Sequence, residues 1–196
     1  MVKPLNLSSG RGIFTFNPEK ESWSELEKKL AGNEYLLEEC VKLHPDVERL
    51  NPPSCQTIRV YTMVDESGNV DIVDAVIRVG GGNAIQDNFH AKGVVYPIDL
   101  KSGKIKGAGK DLMNIEYLVH PSTGIYMPGY QIPKWNGVME FARNAASQNK
   151  NARFIGWDIA ITPNGFEMIE GNYYVYCGFM QIFNKEGKYD LIKSYR

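Results

Sequence analysis

IGWDIAITPNGFEMIEGN, residues 155–172, reads as two short apolar-rich strands around the turn tripeptide Pro163-Asn164-Gly165, and the fold hinges on how they pair. The stretch places Asp158 inside an apolar run, with Glu170 and Asn172 beyond the turn. Two registers compete. A two-residue Asn164-Gly165 turn pairs Pro163 with Phe166 and sends Asp158 and Glu170 to opposite faces of the ribbon. A three-residue loop, with Pro163 and Asn164 in a type I turn and Gly165 in the left-handed position, pairs Thr162 with Phe166. Proline's fixed φ suits the first turn position, so this second register is expected. Asp158 then lies opposite Glu170, and Asn172 follows two residues along on the same face.

Two carboxylates facing each other across strands at roughly 5 Å repel unless a cation neutralises them. Asp158, Glu170 and the Asn172 amide form a hard oxygen set for which Mg²⁺ is the natural occupant. The alternative reading makes both acids exposed edge charges. Trp157, Ile159 and Ile161 on one strand, with Phe166, Met168 and Ile169 on the other, leave few positions for solvent.

Outward from this hairpin, the 196 residues have 43% hydrophobic and 23% charged content, the composition of an ordinary globular protein. Lys plus Arg (22) nearly balances Asp plus Glu (23), so no basic field favours nucleic acid or membrane surfaces. An anionic ligand must be met locally. Cys40, Cys55 and Cys177 are odd in number and lack metal-ligand spacing, which argues against a disulfide framework or zinc site. With no signal pattern and no apolar run of about 18 residues, a cytoplasmic protein without membrane insertion is expected.

Val2-Lys3-Pro4 reads as the end of a strand running into the loop LNLSSGRG, and GIFTF, residues 12–16, as the next strand. ESWSELEKKLAG is an amphipathic helix with Trp23, Leu26 and Leu30 on one face. EYLLEECV, residues 34–41, is strand-like, and HPDVERLNPP is a short helical turn. TIRVYTMV and NVDIVDAVIRV should pair as a long hairpin, followed by the polar loop GGGNAIQDNFHAKG and the strand VVYPIDL, with a short strand near KIKGA. KWNGVMEFARNAASQ, residues 134–148, is a helix with Trp135, Val138, Met139 and Ala142 on one side.

Magnesium held by few carboxylates usually shares its shell with substrate phosphates. VKPLNLSSGRGI is a candidate phosphate cradle, a strand lysine followed by a Ser/Gly loop whose backbone N–H groups could face anionic oxygens; as a surface loop it would have no such role. Arg59 and Arg78 sit in apolar strands, where a guanidinium needs an anion, either a ligand or an internal acid. DNFHAKG adds Asn88, His90 and Lys92 in one polar loop.

This order, a strand lysine with a Gly loop, EYLLEECV, TIRV, IRVGGG with DNFH, then Asp…Glu-x-Asn, resembles the ATP-grasp ligases over nearly the whole chain. The run HPSTG…IGWDIAITPNGFEMIEGN is similar to the sugar-transfer-associated branch, found with polysaccharide biosynthesis. The resemblance implies an α+β fold of antiparallel sheets packed with helices, with residues 1–50 as part of a nucleotide-grasping subdomain and 51–196 as the C-terminal subdomain carrying the metal hairpin. It implies ATP and Mg²⁺ as cofactors and a ligase that activates a carboxylate as an acyl phosphate for attack by a nucleophile, typically an amine. Lys3 would touch the nucleotide, Ser8, Ser9, Gly10 and Gly12 would form a phosphate lid, and Glu38, Glu39, Cys40 and Val41 would line the adenine hinge. Asp158, Glu170 and Asn172 would hold the metal, while Arg59, Arg78 and Asn88 would face the phosphates and acyl phosphate.

Thr57 stands where related families often carry an acid, so no ribose ligand is assigned there. The usual ATP-grasp chain has an N-terminal domain and an earlier nucleotide lysine ahead of the point where this sequence begins. The resemblance therefore implies a fold incomplete at its N-terminus, with an open sheet edge at residues 2–4 and a second copy or partner chain completing the sheet. The alternative is a non-catalytic nucleotide-binding or interaction module. Tyr173, Tyr174 and Tyr176 are expected to pack.

Overall fold

The computed structural model describes residues 1–7, 11–82, 93–149, 151–183 and 186–195. The chain folds as two compact units, Met1–Lys42 and Leu43–Arg196.

In the smaller unit, β1 (Val2–Pro4) pairs antiparallel with β2 (Tyr35–Leu37), and α1 (Trp23–Leu30) lies between them in sequence. Ser22 caps α1 by accepting from the Ser24 N–H, which satisfies one of the helix's orphan donors. Only Leu26 of the expected apolar face is buried; Trp23 is 59% exposed and stacks on Phe16 at 4.8 Å. Two expected strands are shorter than their sequences suggest. GIFTF contributes a single bridge, Phe14 to Val2. The hinge strand stops at Leu37: a strand extends only as far as its neighbour, and β1 ends the ladder where Glu38 N–H donates to Met1 O at 3.0 Å. Phe14 also bonds Val2 in both directions, so at Val2 the edge expected to stand open is occupied.

The larger unit is built on a seven-stranded antiparallel sheet. After α2 (Pro45–Glu48) come β3 (Thr57–Val64), β4 (Val70–Val79), β5 (Val94–Pro97), β6 (Gly109–Lys110) and β7 (Glu116–Tyr117), then α3 (Trp135–Gln148), β8 (Phe154–Ile161), β9 (Phe166–Asn172), α4 (Gly178–Ile182) and α5 (Tyr189–Lys193). The strand order is β7-β6-β5-β4-β3-β8-β9, so β3 lies between the two hairpins, pairing with β4 on one side and β8 on the other.

Side chains alternate between the two faces of this sheet. Tyr61, Val76 and Val95 form a core cluster with Phe179 and Met180, so the C-terminal segment covers one face. Helix α3 packs on the other, burying Val138, Met139 and Ala142 against β3, β4 and β8, with Phe141 5.6 Å from Phe166. Fully burying an aliphatic side chain contributes about 1.5–3 kcal/mol, and Val60, Ile77 and Ile159 are all fully buried on the helix side. The helices α4 and α5 and the strand β7 had no counterpart in the sequence reading. Cys40, Cys55 and Cys177 form no disulfide.

The decisive hairpin has a third geometry. Ile161 pairs with Phe166, and residues 162–165 form a four-residue loop closed by Thr162 N–H to Gly165 O and Gly165 N–H to Thr162 Oγ1, both at 3.0 Å. Gly165 is not left-handed. Continued unchanged, this register would set Glu170 opposite Trp157, on the α3 face. A bulge intervenes: Ile159 pairs with Met168 but Asp158 with Glu170, leaving Ile169 as the extra residue on β9. One extra residue exchanges the faces, so the bulge returns Glu170 and Asn172 to the face of Asp158. Lys134, itself left-handed at φ 52°, holds the loop through Nζ donors to Thr162 O (3.1 Å) and Pro163 O (2.7 Å).

Candidate active site

Cross-strand register assembles the site. Thr57 lies opposite Arg78, Arg59 opposite Asp158, Asp158 opposite Glu170 and Gly156 opposite Asn172, all on the face that the C-terminal segment partly covers. Gly156 leaves room there: an added Cβ would sit 3.1 Å from Arg59 Cδ and 3.6 Å from Val175.

Asp158 is fully buried. It accepts a fork from Arg59, Nε to Oδ1 and Nη2 to Oδ2, the latter at 2.8 Å. Arg78 Nη2 forms an ion pair with the same Oδ2 at 2.9 Å. Burial by itself would push this carboxyl up, but the Arg59 hydrogen bonds, the charges of Arg78 and Arg59 and a side-chain hydrogen bond with Glu170 outweigh it and hold Asp158 below the usual carboxylate range. Burial likewise opposes the Arg59 charge, and the hydrogen bonds and charge of Asp158 more than restore it.

Glu170 stands in a different environment. Its side chain is 56% exposed and lies 3.9 Å from Arg59 Nη2, and its Oε1 accepts from Asn172 Nδ2 at 3.0 Å. One acid is thus committed to the sheet interior and its neighbour faces outward. The four charges, Arg59, Arg78, Asp158 and Glu170, sum to zero.

Thr57 belongs to the site as well, although the sequence reading assigned it nothing. Its Oγ1 accepts from Arg78 Nε (3.0 Å) and Nη2 (2.7 Å), fixing the guanidinium beside Asp158. Its place one row along from Arg59, opposite Arg78, follows from the β3–β4 register. That register could not be counted back from the turn, because Val73 is a second bulge between the turn and the site.

Of the other expected site residues, Lys3 forms an ion pair with Glu38 in the smaller unit, both about one-third exposed. Gly12 has φ 71°, the left-handed conformation that favours glycine. Glu39 and Cys40 are exposed and Val41 half-buried, all beyond the end of β2. Ser8, Ser9, Gly10 and Asn88, with His90 and Lys92, lie outside the described residues. The expectation that three tyrosines pack holds only in part: Tyr176 sets its ring edge-on to Phe179 at 5.1 Å and Tyr173 lies 4.6 Å from Tyr174, yet the three are 59%, 69% and 86% exposed for Tyr176, Tyr173 and Tyr174, because β9 ends at Asn172 and the chain leaves the sheet.

A paired guanidinium receptor set beside outward-facing oxygen ligands is the arrangement of a site that neutralises phosphate oxygens. The chain belongs to the sugar-transfer associated ATP-grasp family, whose model matches residues 1–195. No curated protein and no solved structure matches the chain. Membership indicates ATP binding and a ligase-like activity, and proteins of this kind generally use ATP with Mg²⁺. Among the described residues no helix is long and apolar enough to cross a membrane.

The donor chemistry fits such a cation. A carboxylate offers about four lone-pair positions, of which two on Asp158 are taken by Arg59 donors and a third is approached by the Arg78 ion pair. One remains, together with the Glu170 carboxylate and the Asn172 amide oxygen. Among the described residues no group of three His, Cys, Asp or Glu side chains forms a metal cage, so the protein would supply only part of a coordination shell.

Proposed function

We propose that this chain binds ATP together with Mg²⁺ at the Arg59, Arg78, Asp158, Glu170 and Asn172 constellation and uses it in an acyl-phosphate-forming ligase reaction. The observation that carries this reading is the charge arithmetic. Among the described residues the four charged side chains sum to zero, so a divalent cation added alone would leave them with two surplus positive charges. An anionic co-ligand removes that surplus, and a nucleotide triphosphate brings both the charge and the remaining oxygen ligands.

When bound, Mg²⁺ would supply charge neutralisation for the phosphoryl group being transferred. Glu170 and Asn172 would hold it at the open edge of β9. Arg59 and Arg78 would orient and stabilise the phosphoryl oxygens, with Thr57 keeping the Arg78 fork in position. The phosphoryl group passes from ATP to a carboxylate oxygen of the donor substrate, ADP departs, and a nucleophile, typically an amine, then displaces phosphate from the acyl carbon. Asn88 is proposed for the same anion-facing role, and Lys3, Gly12 and Glu38 for nucleotide contact. The sugar-transfer part of the family's description supports an acceptor from cell-surface or polysaccharide metabolism, and a cytoplasmic site of action is proposed with it.

Calorimetric titration with a non-hydrolysable ATP analogue, with and without Mg²⁺, tests the reading. Metal-dependent binding by the wild-type chain that is lost in Glu170→Gln is expected. Absence of binding by the wild-type chain, or binding that Glu170→Gln leaves intact, refutes it.

A further inference from the structure

Asp158 and a phosphate compete for the same donors. A guanidinium fork recognises both anions by the same bidentate geometry, and Asp158 holds the Arg59 Nε and Nη2 donors as well as one Nη2 contact from Arg78. It does so from a fully buried position, where solvent screens nothing, while Glu170 stays 56% exposed and bonded to Asn172. The two carboxylates, opposite each other on the same face, therefore differ in environment: Asp158 is held by the arginines and Glu170 stands open to solvent. A neutral cluster has no net attraction for a further anion until one of its charges changes partner.

We propose that Asp158 is a built-in competitor for the phosphate ligand: it occupies Arg59 and Arg78 until a divalent cation takes its carboxylate, so cation and phosphate bind as a coupled pair. The proposal rests on the Mg²⁺–ATP reading of the same site and adds its regulation. Transfer of Asp158 to a cation releases guanidinium donors to a phosphate, and the phosphate supplies oxygens to that cation. Each ligand strengthens the other by the same factor, as linkage requires. Thr57 Oγ1, bonded to Arg78 Nε and Nη2, keeps that fork in place as Asp158 lets go. The consequence is discrimination: free polyphosphate, free nucleotide and free cation each meet a self-satisfied cluster, and only the metal complex of the polyphosphate opens it.

Inorganic tripolyphosphate titrated into the full chain, in EDTA and in excess Mg²⁺, tests this. Wild type should bind weakly in EDTA and about tenfold or more tighter with Mg²⁺, the equivalent of one charge-assisted hydrogen bond recovered. Asp158→Asn should bind about tenfold tighter than wild type in EDTA and gain little from Mg²⁺. Glu170→Gln, which keeps the Arg59–Asp158–Arg78 contacts but removes one negative charge, should raise the EDTA affinity less than Asp158→Asn does and lose the Mg²⁺ gain. A folded Asp158→Asn chain whose EDTA affinity equals or falls below wild type overturns the competition. If Asp158→Asn does not fold, the side-chain Nε–H resonance of Arg59 in wild type decides instead. It should shift on adding tripolyphosphate with Mg²⁺ and stay unmoved with either alone; an unmoved resonance in the bound complex overturns the proposal. Metal-dependent ATP binding without these effects overturns the competition alone, whereas no binding of ATP or tripolyphosphate under any condition overturns the ATP reading with it.

Discussion

Replacing Arg59 by Met should reverse the sign of one contribution to the pH dependence of stability. The substitution removes both Arg59 hydrogen bonds that Asp158 accepts and leaves a fully buried carboxylate with the Arg78 ion pair as its remaining cationic partner. Breaking a buried pair by removing one partner costs about 3–5 kcal/mol, a large part of the roughly 5–15 kcal/mol that holds a domain folded. For a unit of this size the melting point should fall by roughly 6–20 °C. In wild type the folded carboxyl sits below its ordinary value of 3.8, so its stabilisation is complete above that value and lost as pH drops beneath it. In Arg59→Met, burial faces only Arg78 and raises the carboxyl above its unfolded value, so stability is lost instead as pH rises through that range. Urea unfolding between pH 3 and 8 reads both effects, and Arg59→Met with Asp158→Leu should recover part of the loss, since the buried carboxylate is gone while Arg78, which loses its Asp158 ion pair, keeps its Thr57 hydrogen bonds. A loss under about 1 kcal/mol at pH 7, or an acid limb identical to wild type, would refute the account of the buried pair.

Three other outcomes follow from local geometry. Gly171→Ala places a Cβ 2.7 Å from Trp157 Cζ3 and should cost about 1–3 kcal/mol in chemical denaturation while displacing Glu170 and Asn172, so Mn²⁺ affinity falls with stability. Lys110→Met removes the ammonium that donates to Ile182 O at 3.1 Å, the last residue of α4; about 1 kcal/mol and faster proteolysis after residue 177 are expected. Ser22→Ala deletes the α1 cap and should cost about 1 kcal/mol, seen as faster amide exchange over Trp23–Leu30 with the sheet of the larger unit unaffected.

The site was legible in outline because strand alternation is a strong code. Asp158 and Glu170 could be placed on one face from apolar neighbours and turn residues, and they share it, with Arg59 brought there by the β3–β8 register. The route differed, since two errors compensated: the loop after Ile161 is one residue longer than proline and glycine chemistry suggested, and the Ile169 bulge absorbs the difference. Bulges arise from packing across several strands, which no local signal in FEMIEGN announces. The same cause hid Thr57, whose pairing with Arg78 depends on the bulge at Val73. GIFTF and EECV have strand propensity but too little backbone to pair with, and propensity cannot supply a neighbour. The short helices α4 and α5, five residues each, are held by contacts with Tyr61, Val76 and Val95 rather than by their own periodicity.

The coupling of the β9 edge to a nucleotide-bound cation is open to direct observation by electron paramagnetic resonance of Mn²⁺ with ATP and this chain. The account predicts a protein-bound Mn²⁺–ATP signal in wild type that Glu170→Gln abolishes at equal protein concentration, with the fold of the variant intact by circular dichroism. A bound signal of undiminished intensity in Glu170→Gln, or none in wild type, would contradict it.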